Sequence, residues 1–488
     1  MLPYLFEVDV AKGILIAGTS SDAGKSAVVT GICRALNNRG VSVAPYKAQN
    51  MSNNSMVCPD GAEIGRAQYL QAQAARVQPN ALLNPVLLKP GSDRRSHIVL
   101  MGMADGTLES GEYSTGRKHL AEAAFEAYRK LSSQYEVIVC EGAGSPAEIN
   151  LRSGDYVNMG LARQFDLPVV LVGDIDRGGV LASIYGTWGL LGPEDRRLLN
   201  GYIINKFRGD QTVLDPGLKE ISERTGLKNY GVLPWIGGVW TDGEDSLEVA
   251  RWRGQTGDEG TLKVAVVRFP RISNSTDVDA LAAEPGVFVQ VTTQASDLVD
   301  ADLVVLPGSR STTSDLDWMN SRGISDVVRN RHVEGRPVLG VCGGYEMLAH
   351  EIHDEVEGSI EQAEGLGLLP IDVRFSPEKT VRQAAYKWHD MLVSGYEIHH
   401  GKITNNSPAE EFLDGYRSQN TFGTMLHGSL ENDDFRRRLL LETAQISGSR
   451  WRPDPEAPAY SQRREDMINA LADSIEQNVD LDAMLEAM

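Results

Sequence analysis

An α/β fold in two sheet-centred domains is predicted from three observations. Ile14 to Ala17 read as an apolar strand that runs through a Gly-rich turn into a helix starting at Lys25. Apolar runs then recur at Val41 to Tyr46, Val137 to Cys140, Pro168 to Val172 and Tyr202 to Ile204, each ending in a dense polar loop. That alternation with helical segments implies a mostly parallel, doubly wound sheet. From Ile236 to Gly260 the pattern lapses into Gly, Asp, Glu and Arg, then restarts at Lys263 and leads to a cysteine at a second strand–helix junction. The expected organisation is therefore a first domain over 1–236, a linker over 237–261, a second domain over 262–449 and a helical extension over 450–488.

The first strand enters Gly18-Thr19-Ser20-Ser21-Asp22-Ala23-Gly24-Lys25-Ser26. Thr19, Asp22, Ala23 and Gly24 supply a turn whose backbone amides can face phosphate oxygens of ATP. Lys25 reaches the outer phosphates, and Ser26 offers its hydroxyl to Mg²⁺. Five residues separate Gly18 from Gly24, one more than in the common P-loop, and this longer form resembles that of dethiobiotin synthetase, which phosphorylates a carboxylate. Partitioning ATPases carry a second lysine near the loop start, where this chain has Thr19 and Ser20.

The next strand delivers Lys47-Ala48-Gln49-Asn50-Met51-Ser52, a polar loop where an open α/β sheet places ligands. Lys47, Gln49 and Asn50 are expected to meet substrate. A helix is expected over Glu63 to Val77, followed by the cation-rich loop Asn84 to Arg95, in which Lys89 would receive an anionic group. A helix over Lys118 to Ser132 leads to the strand ending in Cys140-Glu141-Gly142, which puts Glu141 within reach of a metal at Ser26. Arg177, in Asp174-Ile175-Asp176-Arg177-Gly178-Gly179, suits a phosphoryl group or a carboxylate. Asn205 is expected to read the nucleotide base, with Lys206 and Arg208 extending the anion site.

In the second domain, Val338 to Val341 feed Cys342-Gly343-Gly344-Tyr345, a turn that exposes a nucleophile beside a helix N-terminus. Its base is His427, 85 residues later and at a strand end. The order strand, Cys elbow, later His resembles the triad-type (class I) glutamine amidotransferase domain. In that resemblance Pro307-Gly308-Ser309 is the oxyanion turn, with the Ser309 N–H one donor and the Gly344 or Tyr345 N–H the other. Relatives of this type place Glu two residues after the catalytic His, where this chain has Ser429, and Glu431 is spaced to face elsewhere. The third member of the site is left open, with Glu397 and His399 expected around it. Tyr460 to Gln477 read as a helix packing across both domains, followed by an acidic tail.

The formal charge is −20 over 488 residues, which argues against a nucleic-acid binder. Four cysteines without a C-x-x-C pair, no secretory signal and no long apolar run fit a cytoplasmic protein with no membrane span. Together the halves imply an amide-forming enzyme: ATP activates a carboxylate, and ammonia from glutamine displaces phosphate.

Several stretches, among them Pro45-Tyr46-Lys47-Ala48-Gln49-Asn50-Met51-Ser52, Glu141-Gly142-Ala143-Gly144-Ser145-Pro146 and Gly395-Tyr396-Glu397-Ile398-His399, resemble signatures of the cobyric acid synthases of the vitamin B12 pathway. The resemblance spans essentially the whole chain. It implies ATP- and glutamine-dependent amidation of the b, d, e and g carboxylates of adenosylcobyrinic acid a,c-diamide. The alternatives are the sister amidoligase for the a and c carboxylates, against which the Lys47 to Asn50 run speaks, and a regulatory P-loop ATPase without catalysis.

Overall fold

The computed structural model describes residues 11–91, 95–109, 117–237, 260–357 and 360–488. Its first sheet has the strand order Lys228–Pro234, Leu199–Phe207, Val169–Asp174, Lys12–Gly18, Val137–Glu141, Val43–Tyr46. Every neighbouring pair is parallel. Because the chain leaves Lys12–Gly18 toward Val43–Tyr46 on one side of the sheet and leaves its neighbour Val169–Asp174 toward Leu199–Phe207 on the other, the Gly-rich turn sits at the topological switch point, where such sheets open a crevice. Ile14, Leu15, Ile16 and Ala17 are wholly buried, as a strand covered on both faces requires. Ile14 and Ile16 join a core shared with helix Lys25–Asn38, whereas Leu15 and Ala17 join the opposite core with helix Lys118–Ser132.

Helix Tyr460–Asn478 covers the first of these faces. At Gly31 an added Cβ would stand 2.7 Å from Ile475 and 2.9 Å from the Leu471 carbonyl, so the glycine permits the close approach of the two helices. The same helix touches both halves, pairing Glu465 with Arg34 at 2.6 Å and Arg464 with Glu431 at 2.8 Å. The expected acidic tail contains a further short helix, Leu481–Glu486.

Two expectations in the first half are corrected. The helix expected over Glu63 to Val77 is a strand, Glu63–Gly65, followed by helix Arg66–Ala75. Glu63 is held in the strand by pairing with Ser55–Val57 and by buried ion pairs to Lys89 and Lys379. The cation-rich loop expected over 84–95 contains strand Val86–Pro90, because Val86, Leu87 and Leu88 are fully buried. That strand joins Gln49–Met51, Arg95–Leu100 and Met103–Glu109 in a small sheet; residues 92–94 lie outside the described residues, as does nearly all of the expected linker over 237–261.

The second domain is built on the order Val287–Thr292, Leu262–Val267, Leu303–Leu306, Val338–Val341, Thr421–Thr424, Gly415–Ser418, Glu410–Phe412. The first five strands are parallel and the last two add an antiparallel edge. A long hairpin, Ile371–Trp388 with Met391–Asn405, projects from this domain to the first. There Gln383 donates to the Val57 carbonyl at 3.0 Å. Among the described residues no helix is long and apolar enough to cross a membrane.

Candidate functional site

The strand ends of the two sheets carry two sites. At the first, Asp22 and Gly24 adopt positive φ (56° and 92°) and curl the Gly-rich turn over Lys25. Lys25 is buried and its ammonium donates to the Ser20 carbonyl at 3.3 Å. Burial lowers its pKa, while Glu141 and Asp22 oppose the shift. The Ser26 hydroxyl donates to Glu141 Oε1 at 2.9 Å, and Lys47 Nζ donates to the same oxygen at 2.8 Å. Gln71 holds the other carboxylate oxygen. Burial disfavours the Glu141 carboxylate, but Lys47, Gln71 and Lys25 override it and keep its pKa low. A hydroxyl and an ionised carboxylate converging at the mouth of the turn are a donor set suited to Mg²⁺ on a phosphate. A Cβ at Gly18 would stand 2.7 Å from the Ser20 carbonyl oxygen, so the turn needs glycine there.

Beside this corner lies an open cavity of about 1060 Å³, lined by Ser21, Gln49, Asn50, Met51, Arg117 and Arg152 among others. Gln49 Oε1 accepts hydrogen bonds from Arg117 and from the Tyr156 hydroxyl, and the Arg117 guanidinium lies 4.7 Å from the Tyr156 ring centre. Arg152 is fixed to Asp195 at 2.7 Å. Of the residues expected to meet substrate, Gln49 and Asn50 line this cavity.

The others are placed elsewhere. Lys47 points to Glu141. Lys89 is buried against Glu63 and donates to Ser55 Oγ at 2.9 Å, where it lines the pocket of the second site. Arg177 pairs with Asp22 at 3.0 Å, Lys206 with Asp174 at 2.8 Å, and Arg208 with Asp176 at 3.5 Å while stacking on Trp235. Each is neutralised by an acid on its own or a neighbouring strand end, a pairing that spacing alone does not reveal. Asn205 donates to the Ala23 carbonyl at 3.0 Å and so buttresses the turn. The Thr19 amide donates to Val172 O at 3.0 Å, so it extends the sheet ladder rather than the phosphate cradle.

At the second site Cys342 has φ 51° and ψ −114°, a strained elbow between strand Val338–Val341 and the turn of helix Gly343–Glu346. The turn expected to hold the oxyanion packs directly on it: a Cβ at Gly343 would lie 2.7 Å from the Ser309 amide nitrogen. Ser309 is held by its hydroxyl, which donates to Asp315 at 2.6 Å. Gly308 sits beside the His427 ring. Gly344 packs its backbone against the Leu306 carbonyl, and the Tyr345 side chain turns into the core against Gly415 and Gly423, so both can contribute only main-chain groups.

Asp277, which the sequence did not single out, is the acid that packs against His427. Its Oδ2 lies 2.7 Å from His427 Nδ1, and its Oδ1 accepts the Gly428 N–H at 2.9 Å. The Tyr396 ring stacks on the imidazole at 5.4 Å, and the buried Nε2 faces the Cys342 thiol. Burial disfavours the imidazolium, yet Asp277 and Cys342 raise the His427 pKa to about 10. Burial raises the Cys342 thiol, against the pull of His427. Glu346, beside the cysteine, is pushed up to about 8 by burial and by Glu357 and Asp354, although its bond from Thr312 opposes this.

A pocket of about 330 Å³ over Cys342 is lined by Ser309, Arg310, Glu357, His399 and Lys89 among others. Arg310 and Glu357 pair within it at 2.6 Å. Glu397 is bound to Arg382 at 2.8 Å and His399 bonds the Gly401 carbonyl, so neither of these bonds is to Cys342 or His427. Glu431 faces away, to Arg66 and Arg464. Asp277 had a usable signal: Ser273-Asn274-Ser275-Thr276-Asp277 is a polar run just past the C-end of a parallel strand, the rule that located the loops of the first domain.

Comparison with known proteins accords with this geometry. Residues 14–248 match the CobQ/CobB/MinD/ParA nucleotide binding domain, and residues 263–435 match the CobB/CobQ-like glutamine amidotransferase domain. Curated relatives named cobyric acid synthase include one from Cutibacterium acnes, 60% identical over 97% of this chain and 99% of its own length. Others from Mycolicibacterium gilvum and Mycolicibacterium vanbaalenii are 53% and 54% identical, each over 97% of this chain and 96% of their own lengths. A nucleotide-binding domain fused to a glutamine amidotransferase domain defines an ATP-dependent, glutamine-hydrolysing amidoligase. Within that class, the chain belongs to the cobyric acid synthase family.

Proposed function

We propose that this chain converts the b, d, e and g carboxylates of adenosylcobyrinic acid a,c-diamide to amides, using one ATP and one glutamine for each. The support that carries the reading is the match to cobyric acid synthases along 97% of the chain. The two sites give it a mechanism. The Cys342 thiolate attacks the glutamine carboxamide carbon, and the Ser309 N–H donates to the oxygen as it gains charge. His427 Nε2–H gives its proton to the departing ammonia while Asp277 holds the ring and its charge in place. Water then cleaves the thioester, releasing glutamate and restoring the thiol.

In the first domain, a substrate carboxylate oxygen attacks the γ-phosphorus of ATP and ADP leaves. Ammonia attacks the resulting acyl phosphate and phosphate departs, leaving the amide. Lys25 and the turn amides hold the phosphates. Ser26 and Glu141 would hold Mg²⁺, which supplies neutralisation of phosphate charge. Arg117, steadied by Gln49 and Tyr156, is suited to receive a substrate carboxylate in the open cavity.

The reading is tested by incubating the protein with the a,c-diamide, ATP, Mg²⁺ and glutamine and following the corrinoid by mass spectrometry. Four successive losses of about one mass unit, each an OH replaced by NH₂, are expected. Absence of any shift while glutaminase and ATPase activities persist would assign another polycarboxylate. Lys25→Ala should remove product with glutamine or free ammonia as donor; ammonia-driven product at the wild-type rate would sink the P-loop assignment.

A further inference from the structure

The carboxylate that orients His427 stands on a short turn, Ser275–Val278, and the first domain grips this turn. Just upstream, Ile272–Ser273 pairs antiparallel with Gly308–Ser309, the oxyanion turn. Between them Asn274 adopts φ 48°, a left-handed conformation that a non-glycine residue keeps only where its surroundings enforce it. Those surroundings come from the loop after Met51. The Asn274 side-chain oxygen accepts the Ser55 N–H at 2.9 Å, and the Asn274 N–H donates to the Asn53 carbonyl at 3.4 Å. The Ser275 N–H donates to the Asn54 side-chain oxygen at 3.0 Å, two residues before Asp277.

Every member is out of solvent: Asn54, Ser55, Asn274, Ser275 and Asp277 are all buried. The loop is itself anchored, since the Asn54 N–H donates to Ser52 Oγ at 3.0 Å and its carbonyl accepts the Arg66 N–H at 3.1 Å. A buried amide whose acceptor is removed leaves an unsatisfied donor, and the strained turn would relax to find another.

We infer that Asn54, contributed by the nucleotide-binding domain, is a positioning residue of the glutaminase: with Asn274 it forms a cross-domain clasp that sets the turn bearing Asp277. The inference rests on the reading of Cys342, His427 and Asp277 as the glutaminase site. It makes that site complete only when the two domains are docked. Asn54 touches none of the reacting atoms; it acts through Ser275 and Asp277 on the imidazole.

The test compares Asn54→Leu, which deletes the acceptor from the first domain, with Asn274→Gly, which keeps the left-handed backbone but deletes the acceptor from the second. Full-length proteins are assayed with glutamine and, separately, with ammonia. Both variants are expected to lose roughly 10²-fold in kcat with glutamine, the scale of a reacting group displaced by about an ångström, with ammonia-driven amidation retained. KM for glutamine should be little changed in Asn54→Leu, whose side chain does not line the pocket over Cys342, whereas Asn274 does line it.

The pH profile gives a second readout. His427 is faced by Asp277, Cys342, Glu346 and Tyr396. Loosening Asp277 withdraws the contact that stabilises the imidazolium, so the alkaline limb of glutamine turnover should move to lower pH. Gln383→Ala, which removes a different cross-domain bond, should change neither readout. Glutamine turnover within about twofold of wild type in either clasp variant, a difference too small for a lost positioning contact, overturns the inference. So does a parallel loss with ammonia, which would mean general disruption. Cys342→Ala separates the two readings: if it still hydrolyses glutamine, the site assignment fails, whatever the clasp variants do.

Discussion

The two sites use the same placement and opposite construction. Each lies at the C-terminal ends of parallel strands, where a tight turn presents main-chain amides. At the glutaminase, Cys342 is 6% exposed and His427 1%, under a pocket of about 330 Å³. Beside the nucleotide corner the cavity opens to solvent, about 1060 Å³ with that open space included. The difference follows from what each must hold. Glutamine is small and always presents the same amide, so its site can be closed and strained around one geometry. A macrocycle offering carboxylates at several positions needs a mouth that admits it in more than one orientation, with only the phosphate end fixed.

The largest effect expected from breaking one side of this comparison is at Cys342. Cys342→Ala should lower glutamine-dependent amidation by roughly 10⁶-fold, the scale for loss of a nucleophile that acts as part of a unit. Ammonia-driven amidation should survive, because the open site does its chemistry without the thiol. Failure with both donors would show that the two sites are not separable.

Asp277→Asn comes next, with a fall of roughly 10⁴-fold in glutamine turnover, the cost of misorienting the base while keeping its shape. The sign of the pH effect is fixed. Asp277 raises the His427 pKa, which stands at about 10, so its neutralisation lowers that pKa and the alkaline limb of the glutamine profile moves down. An unchanged profile would mean that the imidazole takes its support from elsewhere. Arg117→Gln should act on the open side only. Losing one charge-assisted contact should raise KM for the corrinoid by roughly ten- to a hundredfold, with glutaminase activity unaltered.

The contrast also explains what could be read from the chain. Where the Gly-rich turn, Glu141, Cys342, Gly308, Ser309 and His427 stand was legible because each position is local, set by a strand end and a few flanking residues. Charge partners were not. Lys89, Arg177, Lys206 and Arg208 look like free cations in a line of sequence, but each meets an acid that only the fold brings near. Arg117 had the reverse problem, since it precedes a helix with no motif around it and gains its meaning from Gln49 and Tyr156, far away in the chain. The helix expected over Glu63 to Val77 failed for the same reason, because Glu63 is fixed in a strand by lysines 26 and 316 residues distant.

The smallest effect concerns the scaffold that both sites share. Gly31 lets helix Lys25–Asn38, which begins inside the P-loop, lie directly on helix Tyr460–Asn478. Gly31→Ala would gain helix propensity, worth about 1 kcal/mol, but its methyl would meet Ile475 and the Leu471 backbone, and overpacking of this kind costs about 1–3 kcal/mol. The propensity gain offsets the clash only in part, so a net loss of about 1 kcal/mol is expected, read as a lower denaturation midpoint. The displaced helix leads back to Arg464 and Glu431 in the second domain as well as to Lys25. If the closed site is as rigid as its burial indicates, the variant should lose stability without changing glutamine turnover per folded molecule. A drop in glutamine turnover with ammonia-driven amidation intact would instead show that the C-terminal helix helps hold the glutaminase in register.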